Sequence, residues 1–469
     1  MVNLSETAIT NALVQHIHRV QWHALPASIQ QRTIDLLLDH VAVTLAGATQ
    51  PWSAMMRQTA QAEGGEPQST VYGYDALPAR AAALVNGCAA HAIEFDDTHD
   101  ESLGHPGAVV MTTAVALAQA LDRSGIELLT AIVAGYEAQC RIGSATGRQV
   151  IEAGFHPTAT AGVFGAAAAA ARLLKLSPEQ TERAFGIALS AASGTMQFSE
   201  DPLNTMVKRL HAALPASNGL LAAQLASRGF TGPSMSIEGV FGYARQFGGS
   251  TLLARVVQDL GQEWEIGRIS IKLYPCCKQF HSMIDAVLAC RGNKPFDPDE
   301  IESIEALGPQ SMFDTHMERR PTSTMAAQYS LPFATAVALI LDPSDPNSFG
   351  HAQRNRADLL ALADKVQPQI EPQLQAVYPR KFAGGVRIGL KDGRKLSQTV
   401  LDARSSPERP ISRPEVMGKF ETLLQGICDE ARRQQIAQAV LALEHGGTAR
   451  QLGLSLRHAL ADVPTRQAV

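Results

Sequence analysis

The sequence is poor in charge, in aromatics and in cysteine, and each shortage closes off a class of function. Charged residues make up 18% of the 469 positions and aromatics 5%, against a usual charged share of about a quarter. The net charge is -5 and no long basic run occurs, so the chain lacks the electrostatic footprint of a nucleic-acid or anionic-membrane binder. Its cysteines, Cys88, Cys140, Cys276, Cys277, Cys290 and Cys428, contain no CxxC and one adjacent pair. That pattern fits reduced thiols rather than a disulfide framework or an iron–sulfur cluster. Apolar runs such as AGVFGAAAAAARLL stop short of the roughly 20 residues a membrane span needs. The start, MVNLSETAITNALVQHIHRV, has neither the basic nor the apolar part of a secretion signal. The expectation is a cytoplasmic protein with no membrane and no nucleic acid among its partners.

What is present is apolar sequence at helical spacing. Hydrophobic residues make up 45% of the chain, enough for a large core divided between two folding units. From residue 1 to about 260 the period is helical, as in PASIQQRTIDLLLDHVAVTLAGA, HPGAVVMTTAVALAQALDR and HPTATAGVFGAAAAAARLLKL. The Ala and Gly on these segments predict close helix–helix approach. Near residue 265 the texture changes. EIGRISIKLYP and EIESIEALGP alternate like strands, and VRIGLKDGRKLSQTVLDA reads as a hairpin turning at Asp392-Gly393. After Pro410 the helical period returns. The predicted architecture is mainly α: an all-helical domain formed by both chain ends, residues 1–265 and 406–469, with a smaller α+β domain at 266–405 inserted in it.

Four segments can carry chemistry. HAIEFDDTHDESLGHPG (91–107) sets Glu94, Asp96, Asp97, Asp100 and Glu101 among His91, His99 and His105. Buried carboxylates cost free energy without partners, so this is either a solvated helix end or a site. Continued as a helix, it puts His91, Glu94, Phe95 and Thr98 on one face, with Asp97 beside it. His105-Pro106 and His156-Pro157 each open a further helix. A helix N-terminus favours a bound anion and disfavours imidazolium, so a neutral histidine there can exchange a proton beside a carboxylate ligand. The plainer reading is a histidine that caps the helix and faces water. Lys208, Arg209 and His211 crowd together just before a helix without charge until Arg228, and a lysine at the edge of a core can serve as a base. The plainer reading there is a snorkelling surface lysine. IKLYPCCKQFHSMIDA (271–286) brings Lys272, Tyr274, Lys278 and His281 to the junction of the predicted domains, where clefts form. Its vicinal cysteines read as core or wall.

In this order, NGCAAHAIEFDDT (86–98), HPG (105–107), AGYEAQCRIG (134–143), GFHPTATAGVFGAAAAAA (154–171), KRLHAALPASNGLLAAQLASRGFTGP (208–233), KLYPCCKQFHSMIDA (272–286) and AAQYSLPFATAVAL (326–339) resemble the MmgE/PrpD family over most of the chain. The resemblance implies a helical domain made of both chain ends, an α+β lid, a homodimer, and a cleft between domains that works without metal or cofactor on small di- or tricarboxylates. Carried over by motif, it assigns the site to Glu94, Thr98, His105, His156, Lys208 and His281. Relatives often have Asp at the position of Glu94, and the family's decarboxylase branch carries tyrosine where Phe333 stands and a shorter loop before His105.

The expectation is therefore a cofactor-independent lyase, a dehydratase of the 2-methylcitrate type rather than a decarboxylase of cis-aconitate, whose partner is a small carboxylate. Proton abstraction next to a carboxylate builds enolate-like charge that cations must meet. His105, His156 and Lys208 share the roles of base and acid, and Glu94 or Asp97 orients a histidine tautomer. Thr98, Arg209, Lys272 and His281 hold carboxylates. One alternative is an epimerase of an amino- or imino-dicarboxylate. Another is a metal-dependent hydrolase using His91, Asp97, His99, Asp100 and His105, and a third is a carboxylate-binding protein without catalysis.

Overall fold

Proline stands at the first turn of both helices that the His-Pro pairs open, Pro106–Ala120 and Pro157–Leu173. Its missing N–H costs nothing there, because first-turn donors have no intrahelical partner, and its fixed φ already suits a helix. The computed structural model describes residues 9–199, 205–248 and 252–460. Residues 1–8 at the quoted start and 200–204 shortly before Lys208 lie outside them. The other expected helices form at Ala27–Ala48, Ala79–Ala90, Gly125–Ser144, Pro178–Leu189 and Leu210–Ser227, with Arg413–Leu424 and Glu430–Leu441 after the strands. The chain is mainly α. One compact unit takes the described residues up to Ile269 and resumes at Ser412; the other is Ser270–Ile411. Among the described residues no helix is long and apolar enough to cross a membrane.

In the helical unit the helix Pro157–Leu173 is buried at every residue except Arg172, as an interior helix must be when it is apolar all round. Small residues set its distances. A Cβ on Gly219 of the helix Leu210–Ser227 would lie 2.5 Å from the Val163 carbonyl oxygen and 2.4 Å from Ala166 Cβ. Gly87 faces the Ala213 backbone in the same way, with 2.9 Å from such a Cβ to Ala213 Cα. The expected close approach is thus present, and it fixes the starts of these helices relative to one another.

The second unit is built on a four-stranded sheet. Its strands in chain order are β1 (Ile301–Gly308), β2 (Val366–Ile370), β3 (Gly384–Leu390) and β4 (Lys395–Val400), and they pair in the order β2-β1-β3-β4. β1 runs parallel to β2, with Ile304 opposite Val366, and antiparallel to β3, with Ile304 opposite Ile388. β3 and β4 form the expected hairpin. Gly393 takes φ +90° in its turn, and Asp392 Oδ1 accepts from the Arg394 N–H at 3.0 Å. The helices His281–Arg291 and Leu331–Ile340 pack their apolar sides into the core of this unit through Met283, Val287, Leu331 and Phe333.

Two local expectations fail. EIGRISIKLYP is a 3-10 turn at Glu265–Arg268 followed by only two extended residues, Ile269–Ser270. The cause lies in its polar groups: the Glu265 N–H and carboxylate are both taken by buried side chains of the helical unit. The helix that begins at Ala79 stops at Ala90 instead of running on to Thr98. His91 Nδ1 reaches Asp96 at 2.7 Å and closes a loop, in which Glu94 adopts φ +56°. A left-handed glutamate is costly, and it stands where a functional or packing demand outweighs the strain.

Candidate active site

The acidic segment is buried, so it is not a solvated helix end. Glu94 and His91 have no exposure, and Asp96, Asp97, Thr98 and His99 are all buried. The turn at Glu94 aims its carboxylate at the segment that opens the helix Leu210–Ser227. Lys208 Nζ donates to Glu94 Oε1, and Arg209 Nη1 donates to the same oxygen at 3.2 Å. Lys208 is 1% exposed, an ammonium held in the interior by its counter-ion. The guanidinium of Arg209 also lies over the Trp52 ring, 5.4 Å from its centroid.

Around this ion pair four imidazoles converge. The ring centroids of His91 and His105 are 4.7 Å apart, those of His91 and His156 5.9 Å, and those of His105 and His156 6.3 Å. His211 completes the cluster, with its Nδ1 3.2 Å from His156 Nδ1, and Phe198 sets an edge against both rings. The two His-Pro starts make this possible. His156 N–H is tied to the Gly194 carbonyl and His105 N–H to Thr158 Oγ1, so both residues are fixed at adjoining helix ends.

The carboxylate that meets the imidazoles is Asp96, not Glu94 or Asp97. Asp96 Oδ2 lies 2.7 Å from His91 Nδ1 and 3.1 Å from His105 Nδ1. Asp97 is engaged elsewhere, since its Oδ2 accepts from the Tyr136 hydroxyl at 2.6 Å and its Oδ1 from the Gly107 N–H at 2.8 Å. It pins the start of the helix Pro106–Ala120 instead of orienting a histidine. Thr98 is buried within hydrogen-bonding range of Asp100, at 3.4 Å. His99 and Glu101 turn away into a separate ion network. His99 Nε2 sits 3.1 Å from Glu265, and Arg255 bridges Glu101 at 2.7 Å and Glu265 at 2.8 Å.

Electrostatics follow from burial. Loss of water pushes the imidazole of His91 down to about 4 against the pull of Asp96, and that of His211 down to about 4. His156 is held well below the usual range by burial, with Lys208 and His211 adding to it. Burial alone would raise Asp96, but the two imidazoles beside it outweigh that and hold it well below the usual carboxylate range. Asp97 goes the other way: burial lifts it to about 7, moderated by the Tyr136 hydroxyl and the Gly107 N–H. At neutral pH the site therefore presents neutral His91, His156 and His211 beside an ionised Asp96.

His91, Asp96 and His105 offer ligand atoms close enough to hold a cation, as do His99, Glu101 and Glu265. Neither set fits one well. A metal on the Nδ1 atoms would leave the proton on Nε2, and His91 Nε2 is buried with no acceptor, whereas metal-bound histidines normally donate that proton to a neighbour. The second set already surrounds the Arg255 guanidinium. The metal-hydrolase set drawn from the sequence is also split, because Asp97 belongs to Tyr136 and His99 to the other network.

Lys272 and His281 lie in the second unit and are buried there. His281 stacks against Tyr274 at 5.0 Å between ring centroids, and the Tyr274 hydroxyl donates to Asp285 at 2.6 Å. Phe333 is fully buried against Phe349. Sequence reasoning named Asp96 and His211 without a role, and His91 only as a ligand in the metal-hydrolase alternative. The signal that could have found Asp96 is its five-residue spacing from His91, which closes a loop and not a helical turn.

Comparison with known proteins matches residues 11–254 to the MmgE/PrpD N-terminal domain and residues 274–444 to the MmgE/PrpD C-terminal domain. The chain is 28% identical to a cis-aconitate decarboxylase of Aspergillus terreus, covering 94% of both chains. It is 30% identical to the cis-aconitate decarboxylase-like protein oryM of Aspergillus oryzae, over 94% of this chain and 95% of that one. With the human cis-aconitate decarboxylase it shares 26% identity, over 88% of this chain and 87% of that one.

Proposed function

The chain belongs to the MmgE/PrpD family, and from that premise we propose that it is a lyase acting on a small tricarboxylate by proton transfer at a carbon next to a carboxylate. The observation that carries this reading is the convergence of His105, His156 and Lys208, from three distant segments, on one buried cluster of imidazoles and an ammonium. The ammonium and Arg209 supply positive charge against an anionic guest, and the imidazoles supply groups able to take or return a proton. Lys272 and His281 are proposed as further carboxylate-binding groups, whose replacement would raise KM more than it lowers kcat.

For the bond broken, the relatives support loss of CO2 from an unsaturated tricarboxylate of the cis-aconitate type. Departure of CO2 leaves an electron pair delocalised into the neighbouring alkene and carboxylate, and carbon must then receive one proton. A second reading is loss of water from a hydroxy acid of the 2-methylcitrate type. One feature favours it: Asp96 holds imidazoles ready to remove a proton, a step that dehydration needs and simple decarboxylation does not.

Proton NMR in deuterated water distinguishes them. With cis-aconitate, decarboxylation yields a five-carbon dicarboxylate carrying one deuterium at the protonated carbon, plus one equivalent of CO2. With a 2-methylcitrate-type acid, dehydration yields an alkene with all carbons kept. Deuterium exchange into unchanged substrate would point to epimerisation, and no turnover or exchange with any of these acids would reject the lyase reading.

A further inference from the structure

We propose that Asp96 is a positioning residue that fixes His91 and His105 together as Nδ1–H tautomers, so that the two imidazoles present a matched pair of unprotonated Nε2 atoms and His91 joins His105 as a proton-transfer group. The inference deepens the proposed function, on which its kinetic part rests, while its structural part stands without it.

One oxygen does the positioning. Asp96 Oδ2 is within 2.7 Å of His91 Nδ1 and 3.1 Å of His105 Nδ1. A carboxylate is an acceptor only, so His91 Nδ1 donates to it. His105 Nδ1 stands beside the same oxygen without hydrogen-bond geometry, and it is assigned as N–H because a ring lone pair turned on a carboxylate would be repelled. In a neutral ring held this way the single proton is on Nδ1 and Nε2 carries the lone pair. For His91 this is also the cheaper arrangement. Its Nε2 is enclosed and meets no acceptor, and a buried N–H without an acceptor costs more than an unused lone pair on a ring whose other nitrogen is satisfied. The two rings lie edge to face at an interplanar angle of 71°. They are therefore held in distinct orientations about a shared anchor, not stacked as one hydrophobic pair.

Sharing one oxygen couples the rings. When either Nε2 takes a proton, the new cation tightens its hold on Asp96 and draws that oxygen from its neighbour, so the pair accepts one proton more readily than two. Charges face Asp96 and this pair from several elements. Asp39 and His40 lie on the helix Ala27–Ala48, Asp97 follows in the same loop, His156 starts the helix Pro157–Leu173, and Lys208 and His211 lie at the opening of the helix Leu210–Ser227. Asp96 reaches both rings.

The test reads tautomers directly. The protein is labelled with nitrogen-15 at its 14 histidines, and the signals of residues 91 and 105 are assigned from the spectra of His91→Gln and His105→Gln. At neutral pH both should show a pyridine-type Nε2 and a pyrrole-type Nδ1. In Asp96→Asn the side-chain amide can donate to an Nδ1, and at least one ring should exchange its tautomer. In that variant kcat on whichever of cis-aconitate and the 2-methylcitrate-type acid the wild type turns over should fall about 10²–10⁴-fold with KM changed less than about threefold, because the base is lost and the guest's contacts are not. The acid limb of the pH–rate profile should move to lower pH, since the anion that favours imidazolium is gone. A wild-type spectrum with Nε2–H on either ring overturns the proposal without any variant, and so do unchanged tautomers in a folded Asp96→Asn protein. Absence of turnover on every acid tried, with the tautomers as stated, overturns the lyase reading and leaves the positioning intact.

Discussion

Glu94 shows how one residue can carry backbone strain, charge and position together. Its φ of +56° turns the side chain out of the helical direction, and only that turn lets one carboxylate oxygen meet both Lys208 and Arg209. Removing one of those cations leaves the other in place, so Lys208→Met keeps Glu94 paired with Arg209 and should fold. Its turnover should nevertheless fall at least about a hundredfold, because the ammonium that the proposed reaction uses as acid or charge is gone. Steady-state kinetics beside circular dichroism checks this, and near wild-type turnover in a folded variant would remove Lys208 from the mechanism. At this scale the sequence was legible for residue type and not for role. His105, His156 and Lys208, on which the proposed function rests, stand at helix starts that the sequence marks. The division of labour among Glu94, Asp96 and Asp97 did not, because a periodicity argument assumes a helix through 91–98, and the side-chain directions in that segment come from a loop closed by the hydrogen bond between His91 and Asp96.

At the scale of elements, the distance between helices decides where the site residues end up. His156 and Lys208 belong to the starts of Pro157–Leu173 and Leu210–Ser227, and those helices touch through Gly219. Gly219→Ala would bring a methyl within 2.5 Å of a carbonyl oxygen and 2.4 Å of Ala166 Cβ, contacts that can be relieved only by moving one helix. Overpacking of this kind costs about 1–3 kcal/mol. Urea unfolding should show that loss, and kcat should fall as His156 and Lys208 separate, with the overall helix content unchanged. A variant as stable and as active as the wild type would mean that the helix starts are positioned by their loops instead. Where an element's ends carry local signals, the sequence reading held, as with the two His-Pro starts and the Asp392-Gly393 turn. It failed at 265–271, because alternation predicts a strand only when backbone groups are free to pair, and Glu265 is committed to Glu137 and His99.

At the scale of the whole molecule, the helical unit is closed by chain from both sides of the inserted unit. From the helix Arg413–Leu424, Lys419 pairs with Asp39 at 2.6 Å and donates to the Phe95 carbonyl at 3.0 Å, so the late return of the chain braces the loop that holds the site. Burial of so many histidines in this unit has a consequence for its acid stability. His40 is pushed down to about 3 and His91 and His211 to about 4 by loss of water, and His156 falls well below its usual range. Each of these groups protonates near 6.5 in the unfolded chain and only at lower pH in the folded one. Stability from them is present above about 6.5 and is lost as pH falls toward 4. For His91 alone the gap corresponds to about 3 kcal/mol. Asp97, lifted to about 7, acts in the opposite sense, since its folded form keeps a proton that the unfolded chain releases above about 4. Asp35 and Asp39 are raised in the same sense as Asp97 and His18 is lowered like the other histidines, so three carboxyls set against five histidines leave the net slope toward instability in acid. Trp22, Trp52 and Trp264 are the three tryptophans of the chain and all lie in the helical unit, so their fluorescence follows the unfolding of that unit by itself. Its urea midpoint should fall steadily from pH 7.5 to 5, and Asp97→Asn, which removes one opposing carboxyl, should steepen the fall. A midpoint that stays level or rises over that range would mean that the imidazoles gain protons in the folded state as readily as in the unfolded chain, and the neutral cluster on which the proposed chemistry rests would not exist.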